Sequence, residues 1–145
     1  MIQVEVAVQI DKPVTINQTA IKNFCNELFH QNKQAEGKVS FIITNDEKVS
    51  DLKYQFFQER VFTDVIAFNL EEKDEPIEGE IYISLDRVCE NASIFEVSTD
   101  SELRRVIIHG LLHLLGFEDE SEEEKTTMTK LENQYLNILS EPVLS

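Results

Sequence analysis

Two histidines, His109 and His113, lie four residues apart in an otherwise apolar stretch of the chain. On an α-helix, residues with this spacing lie on one face, roughly 6 Å apart. Two imidazole rings placed in this way can bind one metal ion. Gly116 follows three residues later, and a glycine there can end the helix in a left-handed conformation and turn the chain back. The spacing therefore predicts a metal site at the end of a helix.

The third ligand is expected from the acidic segment after this turn. Asp119 lies three residues beyond Gly116, with Glu118 and Glu120 beside it as alternatives. Two histidines and one carboxylate leave positions open for water and substrate, as at catalytic zinc sites and non-haem iron sites. Water bound to such a metal has a lowered pKa and is a ready nucleophile for hydrolysis. The alternative without a metal is a pair of core histidines hydrogen-bonded to backbone or acidic groups.

The same spacing is found in zincin metalloproteases, but Gly110 stands where those enzymes carry the glutamate that acts as general base. A peptidase mechanism therefore lacks an evident proton acceptor, and Asp64, Glu80 and Glu118 are the candidates to replace it. Glycine within a helix costs roughly 1 kcal/mol relative to alanine. Gly110 thus indicates either that another segment, such as a strand backbone, approaches the helix closely, or that the glycine is a simple packing accommodation.

The pattern of apolar residues predicts the elements that hold this site. A helix begins at Thr99, with Thr99 and Glu102 as a capping box, and continues to Leu115 with apolar residues around nearly its whole circumference. Its second half is therefore expected to be deeply buried. The other predicted elements are strands over residues 2–10, 39–44, 65–68 and 81–83, and helices over residues 17–31, 47–57 with Asp46 as its cap, 85–92, and one that begins at the capping box of Ser121 and Glu124.

The order β-α-β-α-β-β-α-α-α is not a regular alternation and favours an α+β fold, in which a small mixed β-sheet packs with helices and one buried helix carries the histidines. We expect one domain over residues 1–145, since the sequence has neither a linker nor an internal repeat. The acidic segment 71–78 is expected to be a solvated loop. The inner face of the last helix is predicted to carry Met128, Leu131, Tyr135 and Ile138.

Composition limits the function further. The formal net charge of −15 disfavours non-specific binding to nucleic acid or to anionic lipid. The sequence has no apolar run of the ~18–20 residues that a membrane helix needs, and no basic region followed by an apolar stretch at its start. We therefore expect a cytoplasmic protein without a membrane partner. Cys25 and Cys89 are expected to be reduced, buried thiols, and His30 a surface residue.

Three segments together resemble the YbeY family of bacterial rRNA maturation factors, which are described as metal-dependent endoribonucleases. The stretch from His109 to Asp119 resembles the family signature H-G-x-L-H-L-x-G-Y-D-H. Residues 63–68, Thr-Asp-Val-Ile-Ala-Phe, resemble T-D-V-L-S-F, and residues 79–83, Gly-Glu-Ile-Tyr-Ile, resemble G-D-I-x-I. The segments occur in the order of the family, and the resemblance covers roughly residues 2–139.

The resemblance implies a mixed-sheet α+β fold with one Zn²⁺ per chain, or another transition metal. The family holds its zinc with three histidines. His109 and His113 match two of these, and Asp119 stands at the position of the third. A His–His–Asp site is therefore implied for this chain, with a change in zinc affinity or in metal preference.

The family also places an arginine in the active-site channel, six residues before the Thr-Asp-Val segment, and this chain has Phe57 there. A cation that could hold a phosphate is thus missing from its expected position. Arg60, and Arg105 one turn before His109, are the candidates to supply positive charge instead.

The residues themselves predict a metal-dependent hydrolase, and the resemblance supplies the substrate class. It implies a single-strand-specific endoribonuclease with a role in rRNA maturation and ribosome quality control. The expected partners are rRNA or its precursor and the ribosome or a small-subunit ribosomal protein, without DNA. Two other functions fit parts of the pattern. One is a ribosome-associated binding factor with a structural metal, and the other is a metallopeptidase, which fits the histidine spacing but not Gly110.

Overall fold

Strands and helices follow one another in the predicted order. A computed structural model describes residues 1–59 and 63–144. The elements are β1 (Ile2–Val8), α1 (Gln18–Gln31), β2 (Gly37–Thr44), α2 (Asp46–Phe57), β3 (Val65–Asn69), β4 (Ile77–Ser84), α3 (Leu85–Ile94), α4 (Thr99–Leu114) and α5 (Glu122–Ile138). The predicted α+β class is confirmed.

The sheet is mixed, as predicted, with the strand order β1-β2-β4-β3. β2 pairs in parallel with β1 and β4, and β3 runs antiparallel to β4 at the edge. Side chains alternate between the two faces of the sheet. On β3, Val65 and Ala67 pack into the main core, whereas Ile66 and Phe68 pack on the opposite face against Val49 and other residues of α2. Both faces of this edge strand are therefore covered by helices.

Helix α4 is the buried helix that carries the histidines. Its apolar residues from Leu103 to Leu114 are at most 3% exposed, which confirms the predicted burial. A Cβ atom added to Gly110 would lie 2.9 Å from Cγ2 of Ile81 and 3.4 Å from Cγ2 of Val65. The close approach predicted at Gly110 is thus present, but strand side chains make it rather than a strand backbone.

Helix starts agree with the predictions to within one residue. Ser98, not Thr99, caps α4, and its hydroxyl accepts a hydrogen bond from the backbone N–H three residues later. Asn45, not Asp46, caps α2 in the same way. Both errors have one physical cause, since each predicted cap follows another residue that caps helices well, and the chain becomes helical one residue earlier. The capping box at Ser121 is confirmed.

Of four other predictions about individual residues, two are wrong and two are confirmed. Cys89 is exposed, because α3 turns Leu85, Val88 and Ala92 to the core instead, whereas Cys25 is buried as predicted. Ile138 is 46% exposed, and the next residue, Leu139, is buried in its place. His30 is exposed, as predicted.

Two predicted segment ends also differ. β1 ends at Val8, two residues earlier than predicted, and β4 begins at Ile77, so the acidic loop is shorter than residues 71–78. No described helix is long and apolar enough to cross a membrane.

Candidate metal centre

The end of α4 brings the two histidines and the acidic segment together. Gly116 has a φ of +101°, the left-handed conformation that glycine tolerates best. Its N–H donates to the carbonyl of His113 at 3.0 Å, and the N–H of Phe117 donates to the carbonyl of Leu112 at 3.0 Å. This pair of hydrogen bonds is the Schellman pattern that ends a helix and reverses the chain. The turn predicted at Gly116 is therefore confirmed, and it brings Asp119 back towards α4.

Three possible ligand atoms converge after this turn. Nε2 of His109 lies 3.0 Å from Nε2 of His113. Oδ2 of Asp119 lies 3.3 Å from the first of these nitrogens and 3.6 Å from the second. All three side chains are partly buried, while Glu118 and Glu120, the alternative third ligands, are exposed. The His–His–Asp group as the structure describes it could hold a metal ion.

The chemistry of these donors fits a first-row metal. Imidazole nitrogen and carboxylate oxygen are ordinary zinc ligands, and here two such nitrogens and one oxygen lie within 4.8 Å of one another. Burial lowers the pKa of His113, and the neighbouring His109 lowers it further. A histidine that stays neutral at physiological pH keeps its lone pair available for a metal.

A buried carboxylate on α5 orients the first histidine. Glu132 is 8% exposed, and its Oε2 accepts a hydrogen bond from Nδ1 of His109 at 2.5 Å. A proton on Nδ1 leaves Nε2 free to bind a metal, which is the usual role of a carboxylate behind a ligating histidine. Burial alone would lower the pKa of His109, but the hydrogen bond and negative charge of Glu132 raise it above the ordinary value.

Arg105 binds the same carboxylate of Glu132 and does not line the cavity beside the histidines. Its guanidinium donates to Oε1 of Glu132 at 2.9 Å and to Oδ1 of Asn133 at 2.7 Å. The positive charge predicted for the site is thus neutralised on α5. Sequence reasoning missed Glu132, although its place among the inner residues of α5, between Met128 and Tyr135, could have indicated a buried acid.

A cavity of about 530 Å³ lies beside the three possible ligands. Two of the three candidate bases, Asp64 and Glu118, line it. Glu80, the third, lies elsewhere, and its carboxylate accepts a hydrogen bond from the Tyr82 hydroxyl at 3.4 Å. The complete lining consists of Lys53, Phe57, Thr63, Asp64, Val65, Ile66, Ala67, Asn69, His109, His113, Glu118 and Asp119.

Asp64 has an environment distinct from that of an ordinary surface carboxylate. Burial raises its pKa, although the nearby His109 opposes that shift. Its backbone carbonyl accepts from the N–H of Ser84, and its Oδ2 accepts from Nδ2 of Asn91 at 3.4 Å. β4 therefore anchors the backbone of Asp64 and α3 its carboxylate, at the wall of the cavity, as a group with raised basicity.

Phe57 forms part of the α2 wall of the cavity. Half of the residue is exposed, and Nζ of Lys53 lies 4.6 Å from the centroid of its ring. Lys53 is the cationic residue in the described lining. Arg60, the other predicted source of positive charge, lies outside the described residues.

Comparison with known proteins identifies the family. The family model described as endoribonuclease YbeY matches residues 5–140. The endoribonuclease YbeY of Phocaeicola vulgatus is 41% identical over 72% of this chain and 75% of its own, and that of Flavobacterium psychrophilum is 35% identical over 83% and 86%. The solution structure of TM1509 from Thermotoga maritima superposes with a TM-score of 0.59 at 27% identity, covering 97% of this chain and 92% of that one. The chain belongs to the YbeY endoribonuclease family.

Proposed function

We propose that the protein is a metal-dependent endoribonuclease that cleaves single-stranded RNA, with one Zn²⁺ held by His109, His113 and Asp119. Family membership supports the endoribonuclease activity and an RNA substrate. The observation that carries the metal dependence is the convergence of two imidazole nitrogens and one carboxylate oxygen, all within 4.8 Å of one another, beside an open cavity. A binding factor with a purely structural metal would not need such a cavity at its ligands.

The proposed mechanism assigns a role to each polar group of the cavity. A bound zinc ion supplies Lewis-acid activation of water and of a phosphoryl oxygen. Glu132 keeps the proton of His109 on Nδ1, so that Nε2 remains a ligand. Asp64 accepts the proton of the attacking water, because its raised pKa makes it a stronger base than an exposed aspartate. Lys53 lies in the same lining and attracts the phosphate backbone.

The acidic character of the chain bears on the physiological substrate. A net charge of −15 repels RNA at long range, so productive encounter needs local attraction or a carrier. We propose rRNA maturation and ribosome quality control in the cytoplasm as the setting, with the ribosome or a small-subunit ribosomal protein as the partner that delivers the RNA. Membership of the endoribonuclease YbeY family supports the RNA substrate of this proposal.

The metallopeptidase alternative has little support from the site. The position of the protease glutamate is Gly110, which packs against side chains of Ile81 and Val65. A longer side chain at this position would enter the apolar core instead of the cavity. The proton acceptor of a zincin peptidase thus has no counterpart on this face of α4.

The test compares metal content and cleavage in three proteins. Zinc-loaded wild-type protein is expected to cleave a single-stranded RNA and to spare a duplex of the same sequence. His109→Ala should lose both bound zinc and cleavage, whereas His30→Ala, which changes an exposed histidine on α1, should retain both. Undiminished cleavage by metal-free His109→Ala would overturn the proposal. Stoichiometric zinc without cleavage by the wild type would favour the binding factor.

A further inference from the structure

Exposed aromatic side chains cluster where α2 ends beside β3. The residues Phe56 and Phe57 are 58% and 50% exposed. The ring of Phe57 stacks on that of Phe68, with centroids 6.2 Å apart and planes inclined by 14°. Phe68 in turn contacts Tyr82 edge to face. The Phe57 ring is thus supported from below by the apolar layer between α2 and the sheet, while half of the residue faces solvent.

The position of Phe57 distinguishes it from the aromatic residue beside it. Phe57 lines the same cavity as His109 and His113, and Phe56 does not. Nζ of Lys53 lies over the Phe57 ring, 4.6 Å from its centroid, and 3.6 Å from Oε2 of Glu59. An aromatic ring and a lysine ammonium therefore line the same cavity as the three possible metal ligands.

The chemistry of this wall suits a base better than a phosphate alone. Apart from the three possible metal ligands, the described lining carries two carboxylates, on Asp64 and Glu118, against the one lysine, Lys53. Such a balance weakens any hold on the charged backbone. A nucleobase is neutral, and stacking on an aromatic ring contributes about 1–3 kcal/mol per base with little dependence on sequence.

We propose that Phe57 and Lys53 form a nucleotide subsite, in which an unpaired base next to the cleaved phosphodiester takes the place of the Lys53 ammonium over the Phe57 ring, and Lys53 pairs instead with the phosphate of that nucleotide. The subsite rests on the proposed endoribonuclease function. It gives a physical basis for single-strand preference, because a base within a duplex has no free face to offer. Phe57 thereby holds the substrate by its base.

The test uses binding to metal-free protein, so that it does not depend on cleavage. The probe is a short, fluorescently labelled single-stranded RNA, titrated with wild type, Phe57→Leu, Phe57→Trp and Phe56→Leu. Phe57→Leu is expected to weaken binding about 5- to 100-fold, the range that corresponds to one lost stack. Phe57→Trp should bind at least as well as the wild type. Phe56→Leu is the matched control, since it removes a neighbouring exposed ring of α2 that does not line the cavity.

A second comparison identifies the base as the group that Phe57 holds. An RNA in which the nucleotides flanking the cleaved bond lack their bases should bind the wild type as weakly as the intact RNA binds Phe57→Leu. Phe57→Leu itself should not distinguish the two RNAs. Wild-type binding by Phe57→Leu, or an equal loss in Phe56→Leu, would overturn the subsite. A wild-type protein that binds RNA in this pattern but does not cleave it retains the subsite and refutes the nuclease.

Discussion

The carboxylate of Glu132 on α5 accepts a hydrogen bond from Nδ1 of His109 on α4, so that the last helix of the fold orients a residue of the metal site. The same carboxylate accepts from Arg105, one turn earlier on α4. The carboxylate of Glu132 therefore links α5 to α4 through buried polar contacts, in addition to the apolar packing between the two helices. The protonation of the histidine depends on this contact, since only a proton on Nδ1 leaves Nε2 available to a metal.

Glu132→Gln is expected to weaken zinc binding about 10- to 100-fold, the usual effect of removing a carboxylate behind a ligating histidine. The amide oxygen can still accept from Nδ1, but the negative charge that raises the pKa and basicity of His109 is lost. Zinc affinity measured by competition with a chromophoric chelator checks this. Asn133→Ala is the control, because it removes the other acceptor of Arg105 and leaves the Glu132 contact intact. Equal zinc affinity in Glu132→Gln and wild type would refute the positioning role.

Local and distant relationships differ in how far the sequence could predict them. The positions of His109, His113 and Gly116 depend on helix periodicity and on the conformational freedom of one residue, and both are local properties. The contact between Glu132 and His109 spans 23 residues and exists only once α5 packs on α4. Sequence alone offers many glutamates in this acidic chain and no means of choosing among them.

The positive charges near the cavity depend on contacts between distant segments of the chain. The sequence predicts that Arg105 offers positive charge to the substrate, but its guanidinium donates hydrogen bonds to Glu132 and Asn133 on α5 instead. The sequence does not single out Lys53, because nothing in a helical pattern shows that the last turns of α2 border the cavity. The partner of a long flexible side chain is set by tertiary packing, which a single sequence does not encode in its spacing.

Asp119 is the position at which this chain departs from the three histidines implied by the resemblance. Asp119→Ala should lower zinc affinity at least 10-fold, because a ligand oxygen is removed from the group. Asp119→His should restore or exceed wild-type affinity. Zinc content after dialysis against a weak chelator measures both effects.

Glu120→Ala is the matched control for Asp119→Ala. It removes an exposed carboxylate from the neighbouring residue, which does not belong to the group of His109, His113 and Asp119. Loss of zinc in Glu120→Ala with retention in Asp119→Ala would mean that the third ligand is Glu120.

Gly110→Ala is expected to destabilise the protein by about 1–3 kcal/mol, the usual cost of an added methyl group in a packed core. The new Cβ would lie 2.9 Å from Cγ2 and 3.2 Å from Cδ1 of Ile81, closer than such contacts allow. This outweighs the roughly 1 kcal/mol that alanine contributes to helix stability. Urea denaturation gives the free energy of unfolding. In an Ile81→Ala background the same change should become neutral or stabilising, and an undiminished penalty there would contradict the packing explanation.

Glu102 should make the stability of the metal-free protein depend on pH. Burial, with a further contribution from the negative charge of Asp64, raises its pKa from 4.5 to about 7. The folded state therefore binds this proton more tightly than the unfolded state does, so the contribution of Glu102 to stability falls as pH rises from about 4.5 through about 7. Glu102→Gln removes this loss. The free energy of unfolding of Glu102→Gln, relative to that of the wild type, should therefore rise between pH 5 and pH 8. The expected rise is on the order of 1–3 kcal/mol.

Urea denaturation of both proteins at these two pH values measures the difference directly. Glu5→Gln, a change at an exposed glutamate of β1, serves as the control and should track the wild type at both. Because Glu102 is 4% exposed, its carboxylate cannot be fully hydrated in the folded state, and this is why the charged form is disfavoured there. A constant stability difference between Glu102→Gln and wild type across this range would show that Glu102 keeps an ordinary pKa in the fold.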